Sequence, residues 1–274
     1  MQLPAAFPHD VRVVATDFDR TLVWEDGILK PRTIAALRRA HDAGLHVVVV
    51  TGRMFRSVRR ALEPAGLGDP VICYQGAVVA DSDGKWLRHL PIPLALARDA
   101  IAFAADEGYS PNVYVGDELF VSEVTQHARD YAEFQHLEIE PVGDLLAWLS
   151  EPPTKLVLVG DPDALDAVET RAKARFGHDL YISKSLPYFL EFAAAGVTKG
   201  TGLDFLAAHL GFTREQTIAF GDGENDVELV EWPGYGIAVE NAHERVKAVA
   251  DWICPSARDE GVAQVLELFL DSKR

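Results

Sequence analysis

Along this chain, short runs that are apolar at every position alternate with longer stretches in which apolar residues recur every three or four positions. The segments "VRVVATD", "PRTIAALRRAHDAGL", "HVVVVTG", "RMFRSVRRALEPAGL" and "PVICYQG" therefore predict strand, helix, strand, helix, strand over the first third. A strand apolar on both faces, such as 47–50, belongs inside a parallel sheet with helices on both sides. The first helix, expected over 32–43, places Ile34, Leu37 and Ala40 on one stripe and stops at Gly44, which can take a left-handed cap.

The pattern then changes. "AVVADSDGKWLRHLPI" predicts a hairpin turning at Asp83-Gly84. From about 91 to 186 the order is helix, hairpin ("NVYVGDELFVS"), helix, strand ("TKLVLVG"), a helix opened by Asp161 as cap and Pro162 as first residue, and "DLYISKS". Regular alternation returns with the helix "TKGTGLDFLAAHLGF", the strands in "TIAFGDGEND", "YGIAV" and "WIC", and the closing helix "GVAQVLELFLDSK". The expected fold is α/β: a doubly wound, mainly parallel Rossmann-like core sheet from residues 1–88 and 189–274, interrupted by an inserted α+β domain at 89–188. No internal repeat or low-complexity linker is visible.

The 274 residues are enough for one large core and a second, smaller one. A formal charge of −16, from 42 acidic and 26 basic residues, argues against nucleic-acid or anionic-membrane partners, which call for a basic face. Any anion bound here must be held by local positive charge. Two cysteines, Cys73 and Cys254, make no disulfide framework and have no metal-ligand spacing, so a reduced setting is expected, with Cys73 a small buried hydrophobe. The start "MQLPAAFPHD" lacks the features of a signal peptide, and no uncharged apolar run approaches the roughly 20 residues of a membrane span. A soluble, cytoplasmic protein is the expectation; the sequence does not indicate its oligomeric state.

Ligands of open α/β sheets bind beyond the carboxyl ends of the strands. Three strands here lead into polar residues: Asp17 and Asp19 after the first, Thr51, Gly52 and Arg53 after the second, and Asp222, Asn225 and Asp226 after a later one. They are expected to share one rim, within reach of Lys199 at the start of the preceding helix. Neighbouring carboxylates repel unless they share a cation, and hard oxygen ligands suit Mg2+. Asp17, Asp19 and Asp222 are therefore the candidate metal residues. Thr51, Lys199 and the backbone N–H groups around Gly52 and Arg20 are candidates for holding phosphoryl oxygens. Asp17, nearest its strand, is the candidate nucleophile, and Asp19 the candidate proton donor to the leaving oxygen.

Plainer readings stand beside these. A single strand-end aspartate is often a helix cap, but caps do not explain Asp17, Asp19, Thr51, Lys199 and Asp222 together. Arg53 reads either as a substrate contact or as a helix-face charge, and the run from Arg56 to Arg60 as a solvated face. The scattered histidines show no zinc spacing. "DSDG" at 81–84 lacks the remaining calcium-loop ligands. Trp86, Tyr114, Phe120, Tyr188 and Phe189 read as packing of the inserted domain.

The motifs "DFDRTL", "VVVVTGR", "TKG" and "GDGEND", in that order, resemble the four signatures of the haloacid dehalogenase superfamily of phosphohydrolases. The place of the insertion, with "YQGAVV", "FLEFAAAGVTKG" and "AVENAHERVKAVADWICPSARDEGVAQVLE", resembles its Cof-type subfamily with a C2B cap. The resemblance implies Asp17 as nucleophile and Asp19 as general acid/base, with the Asp19 backbone carbonyl on magnesium. It further implies Thr51 and Lys199 on the phosphoryl group, Asp222 on the metal, and Asn225 and Asp226 orienting phosphate, Lys199 or water. Two departures appear: Arg20 stands where such chains usually have glycine, and Gln75 where they often have asparagine.

The expected function is a magnesium-dependent phosphatase for a small phosphorylated metabolite, such as a sugar phosphate, working through an aspartyl phosphate. The alternatives are a phosphomutase, a glycosyl-glycerate phosphate phosphatase, or a catalytically silent binder of phosphorylated ligands. A signalling receiver domain gathers similar residues, but on about half this length and without an insertion.

Overall fold

The computed structural model describes residues 2–135 and 137–273. They form two compact units: Met1–Leu87 with Thr198–Arg274, and Arg88–Val197.

The first unit is built on five parallel strands in the order Trp252–Cys254, Tyr235–Val239, Thr217–Gly221, Val13–Thr16, His46–Val49. A parallel bridge between Val50 and Ile72 adds Val71–Cys73 beyond the last of these. Counted along the chain, the six parallel strands therefore lie third, second, first, fourth, fifth, sixth across the sheet. That is the doubly wound order, whose ligand crevice lies between the first and fourth strands.

Both faces are covered, as the uninterrupted apolar runs predicted. Val13, Ala15, Val48 and Ala219 pack with Leu203, Leu206 and Leu229 from two helices, Lys199–Leu210 and Val227–Glu231. The alternate residues Val14, Val47 and Ile218, which point to the other face, are equally buried. Helix Pro31–Asp42 lies one residue earlier than expected, and the chain leaves it through Gly44 at φ 85°, a left-handed conformation open to glycine at little cost.

Strands Val71–Cys73, Val78–Ala80 and Trp86–His89 form a small sheet in that order, the first two antiparallel. The "DSDG" turn within it is organised by the Asp81 carboxylate, which accepts from the backbone N–H groups of Asp83 (3.0 Å) and Lys85 (2.9 Å). The aspartate there serves the turn.

In the second unit six strands lie in the order Leu180–Leu186, Phe189–Ala194, Lys155–Val159, Asn112–Val115, Glu118–Val121, Ile139–Pro141. All neighbours are antiparallel except the last pair. Val113, Leu156, Leu158, Leu190, Phe192 and Ile182 share one face and pack on helices Leu94–Asp106 and Pro162–Phe176. Asp161 caps the second helix as expected, accepting from Asp163 N (3.0 Å) and Ala164 N (3.1 Å).

The boundary expected at 188/189 is corrected. Phe189–Ala194 is an interior strand of this sheet, antiparallel to Leu180–Leu186 on one side and Lys155–Val159 on the other. Residues 189–197 therefore belong to the inserted unit, because Leu190 and Phe192 are needed to complete its apolar face. At the other junction the difference is one residue, since this unit begins at Arg88.

Candidate active site

Parallel pairing brings the polar strand ends together. Thr16 is in register with Val49 on one side and Phe220 on the other. Asp17, Thr51 and Asp222 thus follow neighbouring strand ends at the crevice of the doubly wound sheet, and the Asp17 N–H donates to the Phe220 carbonyl at 2.9 Å.

Lys199 reaches this rim from the first residue of its helix. The Thr198 hydroxyl caps that helix by accepting from Thr201 N at 3.1 Å. Gly76 makes room for the turn: at φ 104°, any Cβ there would lie 2.1 Å from the Thr198 carbonyl oxygen. The buried Lys199 ammonium donates to Asp17 Oδ1 and to Asp226 Oδ1, each at 2.5 Å.

Oxygens of Asp17, Asp222 and Asp226 lie within 4.8 Å of one another, the one such acidic group among the described residues. The three are not equivalent. Asp226 has both oxygens engaged, Oδ1 by Lys199 and Oδ2 by the N–H groups of Asp222 and Gly223, each at 2.9 Å. It holds the loop and the lysine. Asp222 Oδ1 accepts from the Thr21 hydroxyl at 2.9 Å, and its Oδ2 stands 4.0 Å from Arg20 Nε.

The Asp19 carboxylate is not part of this trio, contrary to its expected place beside Asp17 and Asp222. Arg53 grips both of its oxygens, Nε at 2.8 Å and Nη2 at 2.5 Å, while the guanidinium lies 5.0 Å over the Phe18 ring. The fork geometry of arginine matches a carboxylate at two points, and Arg53, buried and paired with Asp19, is not the solvated helix-face charge that was one reading of its position. Its own N–H donates to the Thr51 hydroxyl at 3.1 Å. Asn225 is drawn to Gln75, donating to Oε1 at 3.0 Å. A Cβ on Gly52 would lie 2.5 Å from Gln75 Nε2, so that side chain packs directly on the second motif.

Concentrated negative charge is visible in the proton affinities. Burial, then repulsion from Asp226, Asp222 and Asp19, holds Asp17 well above the ordinary carboxylate range against the pull of Lys199. Burial and Asp226 push Asp222 up to about 7, against the Thr21 hydrogen bond and the charges of Lys199 and Arg20. For Lys199, burial acts to lower the value, but the charges and hydrogen bonds of Asp17 and Asp226 outweigh it, so the ammonium stays charged. One lysine does not neutralise this cluster. A divalent cation fits it, because carboxylate oxygens are hard ligands and Asp17 and Asp222 approach each other closely.

Both sequence departures fall where the backbone is left-handed: Arg20 at φ 61° and Gln75 at φ 60°. Glycine takes this conformation freely and asparagine tolerates it, which accounts for the usual residues at these places. Sequence reasoning missed Thr21 on Asp222 and Asn241, whose Nδ2 donates to the Arg20 carbonyl at 2.8 Å, and it singled out Gln75 without placing it on Asn225. Thr21 was visible inside "DFDRTL"; the others depend on contacts between distant segments. Both cysteines are buried, Cys73 as expected, and burial pushes the Cys254 thiol up to about 12.

A mainly parallel doubly wound core whose first strand ends in Asp-x-Asp, facing a lysine and a second acidic loop, defines a class. The family model for haloacid dehalogenase-like hydrolases matches residues 14–266, and the chain belongs to that family, in its Cof-type branch. It is an enzyme, a phosphatase of the haloacid dehalogenase type. Among its relatives is the 5-amino-6-(5-phospho-D-ribitylamino)uracil phosphatase YitU of Bacillus subtilis, 28% identical over 266 residues, covering 94% of this chain and 97% of that protein. Another is the pyridoxal phosphate phosphatase YbhA of Escherichia coli, 28% identical, covering 93% and 97%. A haloacid dehalogenase-like hydrolase from Bacteroides thetaiotaomicron superposes with a TM-score of 0.85 at 26% identity, covering 94% of this chain and 98% of that one. Among the described residues no helix is long and apolar enough to cross a membrane.

Proposed function

We propose that this enzyme is a magnesium-dependent phosphatase for a small phosphorylated metabolite, acting through a phosphoryl group carried on Asp17. The observation that supports this most is the placement of Asp17: buried at the crevice of the core sheet, bound to Lys199 through Oδ1, and close to Asp222. Names of relatives at 28% identity point the same way, since they act on a phosphoribityl compound and on pyridoxal phosphate.

Lys199 occupies Oδ1, so Oδ2 is the oxygen directed at phosphorus. It forms the new P–O bond as the ester P–O bond breaks, and the leaving oxygen takes a proton from Asp19. Water then attacks the phosphoryl group and gives a proton back to Asp19, which releases inorganic phosphate and the free Asp17 carboxylate. Arg53 fixes where Asp19 stands. Thr51, Lys199 and the N–H groups near Gly52 and Arg20 receive the phosphoryl oxygens. Asn225 and Asp226 keep the fourth-motif loop and Lys199 in place. The Asp17 and Asp222 carboxylates and the Asp19 backbone carbonyl would hold Mg2+, whose charge lowers the proton affinity of the cluster and offsets negative charge on the transferring group. The inserted unit, as a C2B cap, would select the leaving group, with sugar phosphates as the first class to try.

Steady, magnesium-dependent release of phosphate from p-nitrophenyl phosphate is the expected result. Asp17→Asn should reduce it by about 10⁴-fold or more. A wild-type protein inert toward p-nitrophenyl phosphate and a panel of metabolite monoesters would sink the proposal and favour a silent binding protein.

A further inference from the structure

Arg20 occupies an unfavourable backbone conformation beside the acidic cluster. A side-chain-bearing residue at φ 61° is strained relative to glycine. The conformation is nevertheless fixed, because Asn241 Nδ2 donates to the Arg20 carbonyl at 2.8 Å while Asn241 Oδ1 accepts from Ala257 N at 2.9 Å. At this price in strain the guanidinium is delivered to Asp222. Its Nε is buried without a hydrogen-bond partner and lies 4.0 Å from Asp222 Oδ2. That is too long for a hydrogen bond and close enough for strong charge attraction.

The other cations of the rim are already engaged. Lys199 donates to Asp17 and Asp226, and Arg53 grips Asp19. Of the carboxylates, Asp222 is the one whose ion-pair partner is Arg20, and the oxygen facing it is the one not bound by Thr21. The Arg20 side chain keeps 37% of its surface exposed, so it has room to swing outward.

We propose that Arg20 is a resident counter-cation of the metal site, holding Asp222 before a divalent ion arrives and weakening the affinity for that ion. A divalent cation bound by Asp222 must displace this attraction and then tolerate a fixed positive charge nearby. The inference rests on the metal-dependent reading above.

The test is calorimetric titration of MgCl2 into the EDTA-treated full chain, with no substrate present. Arg20→Gln, which removes the charge but keeps a side chain at the strained position, should bind Mg2+ about tenfold more tightly, the effect of one unit charge on a divalent ion across a few ångströms of well-solvated space. Arg20→Gly should match it, showing that charge and not backbone strain sets the affinity, whereas Arg20→Lys should stay near wild type. In thermal unfolding, saturating Mg2+ should raise Tm more for Arg20→Gln than for wild type. Unchanged or weaker Mg2+ binding by both neutral variants overturns the proposal, and a raised KM for phosphate esters with unchanged Mg2+ affinity assigns Arg20 to substrate instead. Binding by wild type decides the metal-dependent reading separately: if wild type takes up no divalent ion, both fall; if it does and the variants match it, only the role of Arg20 falls.

Discussion

In the core sheet every strand runs the same way, so the carboxyl ends of Val13–Thr16, His46–Val49 and Thr217–Gly221 share one edge. The inserted sheet reverses direction at all but its last pair and divides its strand ends between two edges. The two sheets accordingly place their charged residues differently. In the core, polar side chains gather beyond the strands, at Asp17, Thr51 and Asp222. In the insertion they stand within a face: Tyr114, Lys155 and Glu191 alternate with residues that point at the helices. There Lys155 Nζ donates to Glu191 Oε1 at 3.3 Å and lies 5.1 Å over the Tyr114 ring, Ser185 donates to the same Glu191 oxygen at 2.6 Å, and the Tyr114 and Tyr131 hydroxyls meet at 2.5 Å. Parallel topology collects chemistry at a rim; antiparallel topology leaves it on a surface of the sheet.

Each unit thus buries a lysine among carboxylates or tyrosines, and removing the two lysines is the strongest way to separate them. Lys199→Met should lower kcat on p-nitrophenyl phosphate by about 10³-fold or more, since it removes charge at the reacting group. It should also destabilise the metal-free protein by about 3–5 kcal/mol by leaving buried carboxylates without their cation. Lys155→Met should cost stability through Glu191 in the same way, yet lower that kcat by less than about tenfold. Comparable losses of kcat in the two variants would erase the distinction between a catalytic and a structural lysine.

A smaller effect comes from proton linkage in the core alone. Asp222 is pushed up to about 7, against an ordinary carboxylate value of about 4. Between those values the folded chain holds a proton that the unfolded chain has lost, so the stability of the metal-free protein falls as pH rises through this window. At the proposed metal site Mg2+ would compete with that proton, so the Tm increase on adding it should be larger at about pH 8 than at about pH 5. An equal increase at both would show that Asp222 is ionised throughout. The smallest effect is confined to the insertion. Asp161→Ala removes the cap of Pro162–Phe176 and should cost about 1 kcal/mol with kcat unchanged; a fall in kcat would mean that this helix also supports catalysis.

The same contrast explains what the sequence revealed. Core strands were legible because burial on both faces leaves uninterrupted apolar runs, and the rim because each motif directly follows such a run. The partner of Arg53 was not legible, because Asp19 lies 34 residues away and either residue had other plausible roles. Nor was the Asn225–Gln75 contact, which spans 150 residues and depends on a left-handed Gln75. In the insertion, alternation identified the strands but not their neighbours. Phe189–Ala194 falls on the core side of the expected 188/189 boundary, and its pairing with Lys155–Val159 is a matter of tertiary structure.

The span of the site along the chain also bears on how the protein is made. Lys199 meets Asp17 across 182 residues, and Thr21 meets Asp222 across 201, with the whole of Arg88–Val197 between them. On a ribosome adding about 5–20 residues per second, the first strand waits roughly 10–40 s for its fourth-strand neighbour. The inserted unit, being continuous, has all its strands available sooner. A chain released early would carry the Asp17 segment without Lys199 or Asp222, so the cluster of carboxylates and lysine at the rim would never assemble in a prematurely ended product.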